Sequence, residues 1–221
     1  MNSLIIIQFS ILRNEIDNTF ETIQFDSKDG LPITADLYEV ENPKGFILLC
    51  HRSHCNRGEY RETAPKLNRA GFSCLTIDQR SVMKVFGVVN EPKVLAKQKG
   101  MPTRYLDAKP DIEAAMDYAF NLNNDKPTII FGSSYSASLA LLISAETDTK
   151  ICTTVAFSPG EYLKNIKLAD EIKLLNKRTF VTSSKKEIAD VSAFVKYVDS
   201  KYVAQFKPEV DGFHGSKTLW E

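Results

Sequence analysis

The chain has 221 residues, 43% hydrophobic and 25% charged, with Lys plus Arg equal to Asp plus Glu at 28 each and a formal net charge of zero. This is ordinary globular composition with both signs of charge interspersed, which argues against a disordered chain and against a nucleic-acid or polyanion binder. The length suits one α/β domain over residues 1–221.

The N-terminus, MNSLIIIQFSILRNE, carries a short apolar run with no preceding Lys or Arg and no small-residue cleavage site, so residues 1–20 read as an arm or first strand, not a signal peptide. No run of about twenty apolar residues occurs, and no membrane span is expected. TIQFDS and LPITADLYEV flank Lys28-Asp29-Gly30, a hairpin turn signal. GFILLCH, residues 45–51, has the continuous apolar character of a strand buried on both faces. After the polar loop RSHCNRG, residues 59–71 read as a helix closed by Gly71, and FSCLTIDQR as the next buried strand.

Residues 81–109 hold scattered Gly and Pro and read as a long excursion, a candidate pocket wall together with residues 160–177. A helix over 111–122 follows, with Ile112, Ala115, Met116, Ala119 and Phe120 at helical spacing. Then come the strand TIIFG, the helix SASLALLISAE, the strands CTTVAFS and TFVTSS, the helix DVSAFVKYV and the strand YVAQFKP. A hairpin followed by repeated strand–helix units predicts a mostly parallel sheet with helices on both faces.

Cys50 and Cys74 sit in apolar runs, and the four cysteines, with Cys55 and Cys152, form no CxxC pair. The expectation is reduced thiols in a cytoplasmic protein with no metal site. No Walker loop or dinucleotide fingerprint appears, so no cofactor is expected.

The chemistry concentrates after TIIFG, where four serines fall between Ser133 and Ser138. Gly132-Ser133-Ser134-Tyr135-Ser136 follows G-x-S-x-G on a strand–turn–helix, with Ser136 for the last glycine; the pattern is the nucleophile elbow of α/β-hydrolases and selects Ser134. Ser133, Ser136 and Ser138 then serve the turn and helix packing. Of three histidines, His51 and His54 leave the third strand, and His214 follows the last one. The order nucleophile, acid, base makes His214 the base. The acid belongs just beyond TFVTSS: Glu187 is preferred, with Asp190 and, from the preceding strand, Glu161 as alternatives. The oxyanion hole takes the Tyr135 N–H and one from the loop after the third strand, Ser53, with Arg52 as alternative. The side chains of Arg52 and Tyr135 are expected at the substrate pocket.

These residues, with the segments NRGEYRETAPKLNRAGFSCLTIDQRS, GSSYSASLAL, AFSPGEY, TSSKKE and FHGSKTLWE, resemble the α/β-hydrolase superfamily near its dienelactone-hydrolase-like branch, and more narrowly uncharacterised bacterial α/β-hydrolases. The resemblance implies the α/β-hydrolase fold and a serine hydrolase acting on a small-molecule ester or related acyl compound. A non-catalytic binding protein, and an acyltransferase or peptidase on the same triad, are the alternatives. The chain departs from the pattern in carrying Ser134 where dienelactone hydrolases use cysteine, and Val82-Met83 where glycines are expected after DQRS. It also ends seven residues after His214, at Glu221, where members of the fold continue into a closing helix.

Overall fold

The computed structural model describes residues 19–81, 87–146 and 149–220; the expected arm or first strand before residue 19 lies outside them, as do Val82, Met83 and Glu221. The Asp29-Gly30 signal makes the hairpin it predicts. Gly30 takes φ +78°, and β1 (Glu21–Asp26) pairs antiparallel with β2 (Pro32–Tyr38), Glu21 opposite Leu37 and Asp26 opposite Pro32.

Six further strands follow: β3 (Gly45–Cys50), β4 (Phe72–Ile77), β5 (Thr128–Ser133), β6 (Ile151–Phe157), β7 (Arg178–Thr182) and β8 (Val203–Phe206). Together they form one eight-stranded sheet in the order β1-β2-β4-β3-β5-β6-β7-β8, parallel from β4 through β8.

Side-chain alternation on β3 divides the core. Phe46, Leu48 and Cys50 enter one apolar cluster with Ile112 and Met116 of α3 (Lys109–Leu122) and Leu139 and Leu142 of α4 (Tyr135–Glu146). Ile47 and Leu49 enter the other, with Tyr60, Phe131 and Ala64 of α1 (Thr63–Arg69). Each fully buried Leu or Ile contributes about 1.5–3 kcal/mol through its removal from water, so β3 and β5 are anchored from both sides.

Two helical expectations change. The helix after β3 begins later than residue 59, because residues 57–60 form a separate 3-10 turn capped by Asn56, whose side chain accepts the Gly58 N–H at 2.9 Å. Pro65, which has no N–H to give, then sits in the first turn of α1, and Gly71 closes the helix at φ +92°. The 81–109 excursion contains α2 (Glu91–Gln98), capped by Asn90, which accepts the Lys93 N–H at 2.9 Å, with Pro in its first turn. Two further helices follow: α5 (Leu168–Glu171) and α6 (Ile188–Val195).

β3 is flanked by β4 on one side and β5 on the other, so chain order reverses there. In open α/β sheets that switch leaves a crevice beyond the carboxyl ends of the strands. The loops carrying Ser53, Ser134, Glu187 and His214 all leave from those ends.

Candidate active site

The turn between β5 and α4 is too tight for most side chains. A Cβ on Gly132 would lie 2.3 Å from the Ser136 carbonyl oxygen and 2.6 Å from the Ala137 Cα. Ser134 itself sits in the left-handed region at φ 59°, a conformation an L-residue adopts only when its surroundings hold it there. Its N–H donates to the Phe157 carbonyl of β6 at 2.8 Å, and α4 starts at the next residue, with the Ala137 N–H donating to the Ser134 carbonyl at 2.9 Å.

The Ser134 Oγ lies 2.7 Å from His214 Nε2, and His214 Nδ1 lies 2.5 Å from Glu187 Oε1. A carboxylate at Nδ1 fixes the proton on that nitrogen and leaves the Nε2 lone pair to accept from the serine hydroxyl. Glu187 Oε2 also accepts from Ser158 Oγ at 2.9 Å, Ser184 Oγ at 2.6 Å and the Ser184 N–H at 3.1 Å. Burial pushes this carboxyl up, but the donors from His214, Ser184 and Ser158 together outweigh it and hold the group at about 2. Ser184 and Glu187 form a capping box around the turn Lys185–Glu187, so local backbone chemistry places the carboxylate.

The rival carboxylates line the same recess as Glu187. Glu161 accepts the N–H groups of Leu168 at 2.7 Å and Ala169 at 3.1 Å, capping α5. Asp190 lies in the first turn of α6.

The short tail after His214 is firmly tied. Gly215 takes φ +69°, and a Cβ there would strike Ser133 Oγ at 2.5 Å. Its N–H donates to Ser158 Oγ at 2.9 Å, so Ser158 joins the Glu187 loop to the His214 loop. The Ser216 N–H donates to Ser133 Oγ at 2.9 Å, and the Ser216 hydroxyl donates to Glu59, a fully buried carboxylate.

The loop after β3 is pinned from below. His51 is buried, bonded through Nδ1 to the Arg52 carbonyl at 2.8 Å and accepting the Gln79 N–H at Nε2 at 3.2 Å; burial drives its pKa down to about 4, so it stays neutral. Ser136 Oγ donates to the His51 carbonyl at 2.6 Å and accepts from Gln79 Nε2 at 2.6 Å. The serine in the place of the last elbow glycine therefore ties the elbow to this loop. Ser133 and Ser138 likewise do more than pack the turn: Ser138 Oγ accepts the Gly160 N–H at 3.0 Å and donates to its carbonyl at 2.7 Å.

Within the loop, the Arg52 N–H donates to Glu59 Oε2 at 2.8 Å, while the Ser53 N–H makes no hydrogen bond among the described residues. The Arg52 guanidinium stands over the Trp220 ring at 5.5 Å, with Nε 3.8 Å from Glu59. The Tyr135 side chain, expected at the pocket, is instead buried at 1% exposure. Its ring stacks on Tyr105 at 4.4 Å and its hydroxyl meets Ser81, because the first turn of α4 points into the core. Tyr162, after β6, stands against Gly160, where a Cβ would lie 2.7 Å from its ring carbon Cζ.

A group of His, Cys, Asp and Glu able to hold a metal is absent among the described residues, as is a helix long and apolar enough to cross a membrane. No curated protein matches the chain. Among solved structures it is similar to an esterase from Pyrococcus furiosus, at 15% identity and TM-score 0.72 over 93% of this chain and 88% of that one. It is also similar to a dienelactone hydrolase from Anabaena variabilis, at 15% identity and TM-score 0.69 over 87% of each chain. A third is Est1E from Butyrivibrio proteoclasticus with ferulic acid bound, at 16% identity and TM-score 0.65 over 84% of this chain and 88% of that one. These likenesses establish the α/β-hydrolase fold. The family model described as serine aminopeptidase, S33, matches residues 41–183, and the chain belongs to that family of α/β-hydrolases.

Proposed function

We propose that the protein is a serine hydrolase that cleaves a carboxylic ester of a small molecule through an acyl-enzyme on Ser134, His214 and Glu187, with no cofactor. The observation that carries this reading is the unbroken relay from Ser134 Oγ to His214 Nε2 at 2.7 Å and from His214 Nδ1 to Glu187 at 2.5 Å, starting from a serine held at φ 59°. Ser134 Oγ attacks the acyl carbon while His214 Nε2 takes its proton. The carbonyl oxygen becomes an oxyanion facing the N–H groups of Tyr135 and Ser53. Arg52 is the poorer donor, since Glu59 already accepts its N–H. The tetrahedral intermediate collapses, the C–O bond breaks, and the leaving alcohol receives the proton from His214. Water then attacks the acyl-enzyme by the same route, His214 returns the proton to Ser134 Oγ, and the carboxylic acid departs. Glu187, ionised down to about pH 2, faces the imidazolium in both halves.

Four free cysteines, three of them buried, fit a reducing cytoplasm. The esterase structures of the same fold favour an ester. The family's description favours a second reading, removal of an N-terminal amino acid by the same residues. That reaction needs a carboxylate to hold the substrate's ammonium group; Glu161 is occupied by two backbone N–H groups, while Asp190 lines the same recess as Glu187. An inert binding protein has no use for a serine held in a strained backbone conformation against an imidazole.

A fluorophosphonate probe is expected to label the wild-type protein and not Ser134→Ala, and p-nitrophenyl acetate hydrolysis is expected to fall at least about 10⁴-fold in that variant. Equal labelling of the two proteins overturns the reading. Turnover of aminoacyl p-nitroanilides with negligible ester hydrolysis replaces it with the aminopeptidase.

A further inference from the structure

β6 ends much as β5 does. Ser158 follows Phe157, the last residue of β6, at φ 52°, just as Ser134 follows Ser133, the last residue of β5, at φ 59°. Each passes its N–H to the neighbouring strand, Ser134 to the Phe157 carbonyl at 2.8 Å and Ser158 to the Thr182 carbonyl at 2.7 Å. The other described non-glycine residues at positive φ are asparagine, aspartate or histidine, types that tolerate the left-handed region. Serine has no such ease there, and a glycine would take the Ser158 backbone at no steric cost. What serine adds over glycine at this position is the hydroxyl.

That hydroxyl belongs to a buried residue, 1% exposed, and it is used as donor and as acceptor. It donates to Glu187 Oε2 at 2.9 Å and accepts the N–H of Gly215, the residue after His214, at 2.9 Å. Ser184 also bonds to Glu187 Oε2, but from within the same turn, three residues away. Ser158 differs in holding the backbone beside His214 as well. Glu187 follows β7 and His214 follows β8, so the contact of 2.5 Å between them joins two separate loops, and any slippage of one loop against the other would lengthen it. We propose that Ser158 is a positioning residue of this site: its hydroxyl sets Glu187 and His214 against one another and thereby aims His214 Nε2 at Ser134. The inference rests on Ser134, His214 and Glu187 acting as the triad. Ser158 itself makes and breaks no covalent bond.

The test compares wild type, Ser158→Ala and Ser158→Gly. Titration with a fluorophosphonate counts the competent sites, and kcat and KM on p-nitrophenyl acetate are then expressed per titrated site. Both variants are expected to lose about 10–10²-fold in kcat per site with little change in KM, the scale on which a displaced catalytic group or a lost supporting hydrogen bond acts. In proton NMR, the far-downfield Nδ1–H resonance of His214, assigned by its absence in His214→Ala, is expected to broaden or move upfield in both. A merely structural Ser158 would lower the urea midpoint and the number of titrated sites while leaving kcat per site and the resonance at their wild-type values; that result overturns the proposal. Should Ser158→Ala not fold, Ser158→Gly, which adopts the left-handed backbone freely, decides alone. A wild-type protein that the probe does not label overturns the triad reading and this inference with it.

Discussion

The loops leaving β3 and β7 each carry a glutamate close to the candidate site, and the two are treated in opposite ways. Glu187, after β7, keeps a quarter of its side chain exposed and accepts four hydrogen bonds, so its charge is favoured and its pKa is held at about 2. Glu59, after β3, is fully buried; the Arg52 N–H and the Ser216 hydroxyl bond to it, and burial raises its pKa despite Arg52 Nε at 3.8 Å. A nearby cation therefore does not decide the outcome. The number of donors set against the degree of desolvation does. The β7 loop is built to present a charge to an imidazole. The β3 loop uses its carboxyl as a tether, drawing the Arg52 N–H and the tail after His214 to one buried point and leaving the Ser53 N–H unclaimed.

The sharpest way to break this contrast is Glu187→Gln. Removing the charge while keeping the shape is expected to lower kcat on p-nitrophenyl acetate by about 10³–10⁴-fold with little change in KM, while Asp190→Asn, assayed in parallel, stays near wild type. A loss of under tenfold in Glu187→Gln means the carboxylate does not act through charge.

Next in size is Glu59→Ala, which strands the Arg52 N–H and the Ser216 hydroxyl. Each buried unpaired group costs about 1–3 kcal/mol, so a clear fall in the urea midpoint is expected together with a fall in kcat. Retained stability would mean that the tether does not hold the two loops.

The smallest effect is in acid. A carboxyl whose pKa falls from its ordinary 4.5 to about 2 on folding contributes stability that is complete above 4.5 and is lost as pH drops towards 2. Urea midpoints measured between pH 5 and 2.5 are expected to fall less steeply for Glu187→Gln than for wild type. Parallel slopes would separate Glu187 from acid unfolding.

Much of this was readable in the chain. Gly132-Ser133-Ser134 marks the elbow because only glycine survives a Cβ contact of 2.3 Å, and His214 follows from strand order. Ser184-Lys185-Lys186-Glu187 is a capping-box pattern, a local signal that singles out Glu187 over Asp190 without any structure. Asn90 before Pro92 likewise announces α2 inside the excursion. By contrast, nothing local distinguishes Ser136, Ser158 or Ser216 from ordinary turn serines, and nothing local sends the Tyr135 side chain into the core.

The amino-acid sequence alone determined the strand–helix order, the hairpin and the sharp bend at Ser134, since periodicity, turn residues and steric exclusion act over a few residues. Tertiary structure decided which side chains meet: Ser134 and His214 stand 80 positions apart, and Glu59 and Ser216 stand 157 apart. Contacts of that separation exist only once the sheet has brought the carboxyl ends of its strands together, so no local pattern encodes them.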